Sequence, residues 1–329
     1  MRTARILVTL LSTLLCGVFA SAMALAQTFP AKQVNLMVPY PAGGLSDTIA
    51  RMVNTPLAKQ LGQPVLVENL GGASGAIGAQ KVLSAASDGY YLFQGSPNEL
   101  ILSPLANAAV KFKSEDFRLV QMIGVANMAV FVRKDLKANS FDELVALAKN
   151  AKDKPLTYGS VGVGSFYHLL GEHLAKISGA EMTHVPYKGF ADLVPNLVSG
   201  EIDFAMIPYS KSFAALADQG RIRIIATLSP VRLEAAKQVP SVSEGKTFKD
   251  FNFSIWTGYF VKKDTPEAIV QTYYKALTEV LSDAGVRNSL VAQSTDPAKP
   301  LSLAEAARAY QSGIDQFRAI AKSINLQPQ

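Results

Sequence analysis

The chain has 329 residues, 49% of them hydrophobic, and its 32 lysines and arginines against 26 aspartates and glutamates give a formal net charge of +6. The charges are interspersed rather than blocked, which excludes a nucleic-acid track and a polyelectrolyte tail. The one cysteine, Cys16, falls in the leader described next, so the remainder has no disulfide, thiol nucleophile or thiolate metal ligand.

Arg2 and Arg5 precede an apolar run from Ile6 to Ala20, and Ala24-Leu25-Ala26 offers the small-x-small pattern read by signal peptidase. A membrane-spanning helix needs about 20 consecutive apolar residues, and Thr9, Ser12, Thr13 and Gly17 interrupt this run. The bulky Leu15 before Cys16 argues against lipid attachment. Residues 1–26 are read as a secretory signal cut after Ala26, which sends the mature chain to the periplasm. About 300 residues then remain, a length that usually splits into two domains.

Val34–Val38 is a short apolar strand stopped by Pro39 and followed by Gly43-Gly44. Ser46 and Asp47 are good caps for a helix running toward Leu61, which Pro56 should kink or restart. Val65–Glu68 reads as a strand, Gly71 to Gly75 as a glycine-rich turn into a small-residue helix, and Tyr90–Gln94 as a third strand. This βαβαβ order predicts a parallel sheet with helices on both faces.

The middle of the chain repeats the theme. Met128–Val132 is a strand, and Ser140 with Glu143 forms a capping-box pattern that opens a helix. Leu156–Gly159 is the next strand; after Gly162-Val163-Gly164-Ser165 comes a helix with Phe166, Leu169, Leu170, Leu174 and Ile177 on one stripe. Strands Thr183–Val185, Ile202–Ile207 and Ile222–Thr227 alternate with helices near Ala191–Ser199 and Lys211–Asp218. Beyond Pro240 an extended stretch, Phe251–Val261, holds the single Trp256, and the tail turns helical from Pro266 with Ser302 capping a last helix. The reading is an α/β chain of two lobes with two crossovers: residues 27–126 and 252–329 form lobe 1, and residues 127–251 form lobe 2. The C-terminal helices are expected to pack back on lobe 1.

Two loops share the order strand, glycine-rich turn, helix N-terminus: Tyr40-Pro41-Ala42-Gly43-Gly44-Leu45-Ser46-Asp47 and Gly162-Val163-Gly164-Ser165. First-turn N–H groups lack intrahelical partners and the helix dipole favours negative charge there, so such ends hold anions without a cation. One loop per lobe would clamp a carboxylate from two sides; each alone is equally well read as an ordinary tight connection. Because amides do not titrate, such a clamp predicts an affinity that is flat between about pH 6 and 8. Neither loop matches G-x-G-x-x-G, since Tyr167 stands where the third glycine belongs, and no P-loop motif occurs.

The catalytic inventory is thin. His168 and His173 lie about 140° apart around one helix and cannot share a metal; His184 ends a strand. His168 is open to two readings, donor to a ligand or capping and packing residue. No G-x-S-x-G occurs, so Ser165 lacks a nucleophile elbow, and Asp47 and Asp203 have no evident acid/base partner. Tyr40, Phe166, Tyr187, Phe190 and Tyr209 sit at strand-to-helix junctions and suit either ligand stacking or packing. No enzyme activity, cofactor or metal is expected.

Many of these segments resemble a known family in order and nearly end to end. Val38-Pro39-Tyr40-Pro41-Ala42-Gly43-Gly44 with Asp47 and Arg51, Leu61-Gly62-Gln63-Pro64, Asp88-Gly89-Tyr90, His184-Val185-Pro186-Tyr187-Lys188-Gly189, Gly200-Glu201-Ile202-Asp203 and Trp256-Thr257-Gly258 are similar to the Bug receptors, the solute-binding proteins of tripartite tricarboxylate transport systems. The resemblance implies a type II-like Venus-flytrap fold of the periplasmic binding proteins. It further implies a monomer that delivers a di- or tricarboxylate, acidic amino acid or aromatic carboxylate to membrane transporter subunits; the alternatives are a sensor or interaction protein of the same fold, such as one that presents its ligand to a sensor kinase, and a cleft enzyme acting on a carboxylate. By position it places Tyr40, Ala42, Gly43, Gly44, Leu45, Ser46 and Asp47 in one ligand loop, and Gly162, Val163, Gly164, Ser165, Phe166 and His168 in the other. Ser96, Asn98, Pro208 and Tyr209 correspond to further cleft-lining positions. Leu45 and Phe166 depart from the family pattern toward apolar bulk, which hints at a ligand less polar than citrate.

Overall fold

The computed structural model describes residues 29–323 except position 294, and residues 326–328. The expected leader, with Cys16 and the expected cut after Ala26, lies outside the described residues. Among the described residues no helix is long and apolar enough to cross a membrane, and no cluster of histidine, aspartate or glutamate is arranged to hold a metal.

The first sheet is built from β1 (Val34–Val38), β2 (Val65–Asn69) and β3 (Tyr91–Gly95), with β1 central and parallel to both neighbours. Helix α1 (Leu45–Leu61) follows β1 and α2 (Ala76–Ser84) follows β2, as a parallel βαβαβ unit requires. Proline 56 does not interrupt α1, which runs through it in one piece. A short helix α3 (Ser103–Ala106) then leads to β4 (Phe117–Arg133), 17 residues long.

Strand β4 belongs to both lobes. Phe117 to Asn127 pairs antiparallel with β9 (Ser254–Lys262), and from Met128 onward the same strand pairs with β7 (Phe204–Pro208). The sequence marks only the second half of this strand, because Gln121 and Gly124 break the apolar run in the first half. The second sheet adds β5 (Leu156–Ser160), β6 (Met182–Pro186) and β8 (Ile222–Thr227), with β5 parallel to β6 and β7. Its helices are α4 (Phe141–Asn150), α5 (Phe166–Ser178), α6 (Phe190–Ser199) and α7 (Lys211–Asp218). The stripe along α5 is buried at Phe166, Leu169, Leu170 and Leu174 but ends early, leaving Ile177 exposed.

The chain returns beside its outgoing path: Leu228 N donates to Met128 O and Phe253 N donates to Leu228 O, both at 2.8 Å. Two adjacent strands thus join the lobes.

Helices α8 (Glu267–Ser282) and α9 (Ala284–Ala292) pack beside α1 in an apolar cluster that includes Leu57, Tyr273 and Leu277. A short strand β10 (Thr295–Pro297), which the sequence does not announce, pairs with Gly124 to Ala126 of β4. The last helix, α10 (Leu303–Ser323), packs along β4 and β9 and also reaches the start of α5. Its stripe of Ala306, Tyr310, Ile314 and Phe317 is buried, with Tyr310 on Trp256 and Phe260 and the Phe317 ring 5.6 Å from Phe166 at the start of α5. At roughly 1.5–3 kcal/mol per buried large apolar side chain, this stripe braces the junction of the lobes.

Candidate ligand-binding cleft

A cavity lies where the N-terminus of α1 meets the ends of β3, β9, β4 and β10. Its roof comes from Tyr167, Phe190 and Pro208 of the opposite lobe.

The first glycine loop opens into it. Gly43 has φ 83°, and an added Cβ there would meet nothing within 4 Å, so conformation rather than space calls for glycine. Asp47 bends back to accept from Gly43 N at 2.9 Å and is held by Arg51 Nε at 3.0 Å. Burial pushes the Asp47 carboxyl up, but the bonds from Arg51 and Gly43 prevail and leave it below the ordinary aspartate range. The cap of α1 is Gly44, in an extended conformation, rather than Ser46 or Asp47, and no side chain caps this end. With no capping oxygen, the first-turn amides stay available to a guest, and Leu45 and Ser46 at this turn line the cavity.

The second loop is built differently. Three of its N–H groups are already bonded: Gly162 N to Ser160 Oγ at 3.1 Å, Gly164 N to His168 Nδ1 at 3.0 Å and Ser165 N to Gly162 O at 3.2 Å. Ser165 caps α5 by accepting from His168 N, and Phe166 N donates across the lobes to Asn98 Oδ1 at 2.7 Å. Glycine is needed here for close approach between lobes. A Cβ on Gly164 would stand 2.0 Å from Ala106 Cβ, and one on Gly162 would stand 2.6 Å from Ser74 Oγ. The structure therefore does not bring the two loops onto one guest.

Of the positions singled out from the sequence, Tyr40, Leu45, Ser46, Ser96, Asn98 and Pro208 line the cavity. Ala42 and Gly43 are exposed, while Gly44 and Asp47 are buried behind the turn. Gly162 and Val163 line a separate depression with Ser74 and Tyr187. Gly164, Ser165 and Phe166 are buried in the lobe contact, and Tyr209 is buried with its hydroxyl donating to Ala235 O at 3.1 Å. His168 turns both ring nitrogens toward protein, one to Gly164 N and the other 3.7 Å from Glu172, and its ring stacks on His184 at 4.1 Å. Burial lowers the pKa of both histidines, His184 to about 3 with His168 adding to the effect.

Sequence reasoning missed Gln94, Glu99, Tyr167, Thr257 and Thr295, all of which line the cavity. Glu99 is 1% exposed and heads a closed network: Tyr40 Oη donates to it at 2.9 Å, Ser96 Oγ at 3.0 Å, and Ser96 N also donates. Burial pushes its carboxyl up to about 7, against the lowering pull of these bonds. Burial, then Glu99, pushes the Tyr40 hydroxyl well up, so it stays a neutral donor. Among the described residues, no lysine, arginine or histidine lines the cavity. The signal for Glu99 was an acid set directly before the apolar run Leu100-Ile101-Leu102. Arranged this way, the cleft can bind and orient an anion through amides and hydroxyls.

The comparisons agree with this geometry. Residues 49–326 match the model of the tripartite tricarboxylate transporter family receptor. A UPF0065 protein of the ttuE-ttuC' intergenic region of Agrobacterium vitis is 36% identical over 273 residues, 82% of this chain and 77% of the relative. The periplasmic binding protein BugD superposes with a TM-score of 0.83 at 25% identity, over 92% of this chain and 100% of BugD. The structure of R. palustris Rpa4515 with adipate superposes with a TM-score of 0.84 at 26% identity, over 92% and 100% of the two chains. The fold is that of a two-lobed periplasmic binding protein, and this chain belongs to the tripartite tricarboxylate transporter receptor family, whose members include the Bug solute-binding proteins.

Proposed function

We propose that this protein is a periplasmic receptor that closes its lobes on a small organic carboxylate and hands it, chemically unchanged, to membrane transporter subunits. The observation that carries the reading is the uncapped N-terminus of α1 opening into the cavity between the lobes. A carboxylate placed there accepts from first-turn amides and gains the helix dipole, worth about 0.3–1 kcal/mol at an exposed end and more when partly buried. The apolar walls of Leu45, Ile49, Ile255 and Phe190 suit an aliphatic or aromatic body. The adipate held by a relative of the same fold agrees with that.

Closure follows from the same contacts. Ligand bound to one lobe only leaves its other face wet; roofing by Tyr167 and Phe190 removes that water and strengthens every hydrogen bond within. The two joining strands change φ and ψ at Asn127 to Met128 and near Phe253, while each sheet moves as a unit. The hydroxyls beside Glu99, those of Tyr40 and Ser96, both donate to its carboxyl, and among the described residues no basic side chain lines the cavity to activate them, so binding without turnover is the chemistry the cleft supports.

The test is a thermal-shift screen of aliphatic, amino-acid and aromatic carboxylates against the mature protein. A true ligand at about a hundredfold over its Kd stabilises by about 2.7 kcal/mol, and it is recovered intact after incubation. Carboxylates that leave the melting temperature unmoved while neutral sugars raise it would sink the reading.

A further inference from the structure

The floor of the cavity carries polar atoms that the protein itself does not satisfy. Gln94 on β3 is 4% exposed and Thr295 on β10 is 1% exposed, and both line the cavity together with Thr257 of β9. Among the described residues, Gln94 Oε1, Thr257 Oγ1 and Thr295 Oγ1 have no hydrogen-bond partner. Fully wrapped polar atoms without partners are costly, and three around one cavity point to a group that enters it.

The strand registers place them together. Gly124 of β4 pairs with Thr257 on one side, and Pro297 of β10 pairs with it on the other. A Cβ on Gly124 would meet Thr295 Cγ2 at 2.8 Å, so the two threonines flank one glycine. Gln94 pairs with Tyr259, two residues along β9 from Thr257, and so shares its face of the sheet.

The chemistry of the three atoms is asymmetric. Gln94 Nε2 donates to Ser46 O at 2.8 Å. A carbonyl can only accept, so the amide nitrogen must face it, and Oε1 is left as an obligate acceptor. The threonine hydroxyls can donate. A group satisfying all three atoms must donate to Gln94, and it can accept from the threonine hydroxyls or donate to them. A carboxamide or a hydroxyl can donate and accept; an ionised carboxylate only accepts, and would set its lone pairs against Gln94 Oε1. The neighbouring Glu99 carboxyl adds like-charge cost to a second anionic group, and among the described residues no cation lines the cavity to offset it.

We propose that Gln94, Thr257 and Thr295 form a subsite for a neutral donor–acceptor group, so that this receptor prefers a carboxylate bearing a distal carboxamide or hydroxyl to the dicarboxylate of the same length. The inference rests on the receptor reading above and narrows its ligand class.

Calorimetric titration of the full mature protein tests it with two matched sets: adipate, its monoamide and hexanoate; and succinate, succinamate and butyrate. At about pH 8, where both carboxyls of free adipate and succinate are ionised, the monoamide of the better-bound set is expected to bind at least about tenfold more tightly than its dicarboxylate. The isosteric Thr257→Val and Thr295→Val variants should shrink the preference for the monoamide over the plain monocarboxylate by about tenfold or more. A dicarboxylate that binds as well as its monoamide overturns the inference and leaves the receptor reading standing. Valine variants that keep the full preference also overturn it. If neither set nor any other carboxylate binds, both readings fall together.

Discussion

Two glycine loops with the same strand–turn–helix arrangement do different work in this molecule. The loop at Gly43-Gly44 leaves its helix uncapped and its amides open to the cleft, whereas the loop at Gly162 to Ser165 bonds amides to Ser160 and His168, the next amide, of Phe166, goes to Asn98, and the loop serves as a lobe-to-lobe bearing. The cap residue is one part of the difference. A glycine at the cap of α1 offers no oxygen, while serine at the cap of α5 accepts from His168 N, and Ser160, the His168 ring and Asn98 supply the other acceptors. Glycine content alone therefore does not mark an anion site; whether the amides beside it already have acceptors does.

The largest expected effect separates the loops by their glycines. Gly164→Ala places a methyl group 2.0 Å from Ala106 Cβ in a left-handed conformation, φ 76°. Left-handed strain of about 1–2 kcal/mol plus overlap with the Ala106 methyl group should hold the lobes apart, seen as a larger radius of gyration in solution scattering and loss of carboxylate binding. Gly43→Ala, with free space around it, should cost only the left-handed strain, about 1–2 kcal/mol of melting stability. Equal effects from the two substitutions would erase the distinction drawn here.

Glu99 gives the next effect. Its carboxyl is raised to about 7 by burial from an ordinary 4.5, so its ionisation opposes folding. Stability from this site is full below about pH 4.5 and is lost as pH rises through about 7, a loss on the order of 3 kcal/mol. Glu99→Gln fits the same network, with its oxygen accepting from Ser96 N and its amide donating to the Tyr40 and Ser96 hydroxyls. It should raise the melting temperature at about pH 8 and converge with the parent near pH 4.5. Carboxylate affinity of the parent should fall as pH rises from about 6 to 8, and the variant should flatten that slope. The phenols of Tyr40, Tyr167 and Tyr310 also face Glu99, and they stay neutral across this range. A flat parent profile would return the amides alone as the anchor, as the sequence by itself predicts.

Much of the fold was legible because periodicity and caps report it directly. Ser140, Ser165 and Ser302 each sit before a helix, with Ser140 and Ser165 bonded to first-turn amides and Ser302 to Glu305. The site was legible only where it coincides with loops. Tyr40, Leu45, Ser46, Ser96, Asn98 and Pro208 follow strand ends, and a strand end is visible in sequence. Gln94, Thr257 and Thr295 lie within strands from three separate stretches, and only the pairing of β3, β9, β4 and β10 brings them to one floor. The shared strand was half missed for a related reason. Its job is to cross between lobes, so Gln121, facing Thr278 and Leu301, and Gly124, against Thr295, interrupt the apolar pattern that would announce it.

A smaller effect tests the cap argument itself. Ser165→Ala removes the oxygen that accepts from His168 N and should cost about 1 kcal/mol of unfolding free energy, within the usual 0.5–2 range for a lost cap. Ser46→Ala removes no capping bond from α1 and should stay within about 0.5 kcal/mol. Denaturant midpoints at constant slope read both. A matching loss at Ser46 would mean that α1 is capped after all, and its amides would no longer be free.

The smallest effect lies at the lobe contact beside the second loop. Ala73 and Ser74 adopt left-handed conformations, φ 48° and 53°, and Ser74 Oγ donates across the lobes to Val163 O at 2.7 Å. Two opposing contributions therefore meet in one residue: strain of about 1–2 kcal/mol and a hydrogen bond worth about 0.5–1.5 kcal/mol. Ser74→Ala keeps the strain and loses the bond, so the closed population should fall by roughly fivefold for each kcal/mol lost, and carboxylate affinity should fall with it. Ser74→Gly loses the bond and relieves the strain, yet it also frees the unfolded chain, so its melting temperature and its affinity should move in different proportions. If alanine and glycine weaken affinity equally, the strain is indifferent to closure and the bond alone latches the lobes. If alanine has no effect on affinity, the Ser74 bond contributes nothing to closure, and Asn98 remains the side chain that carries the contact.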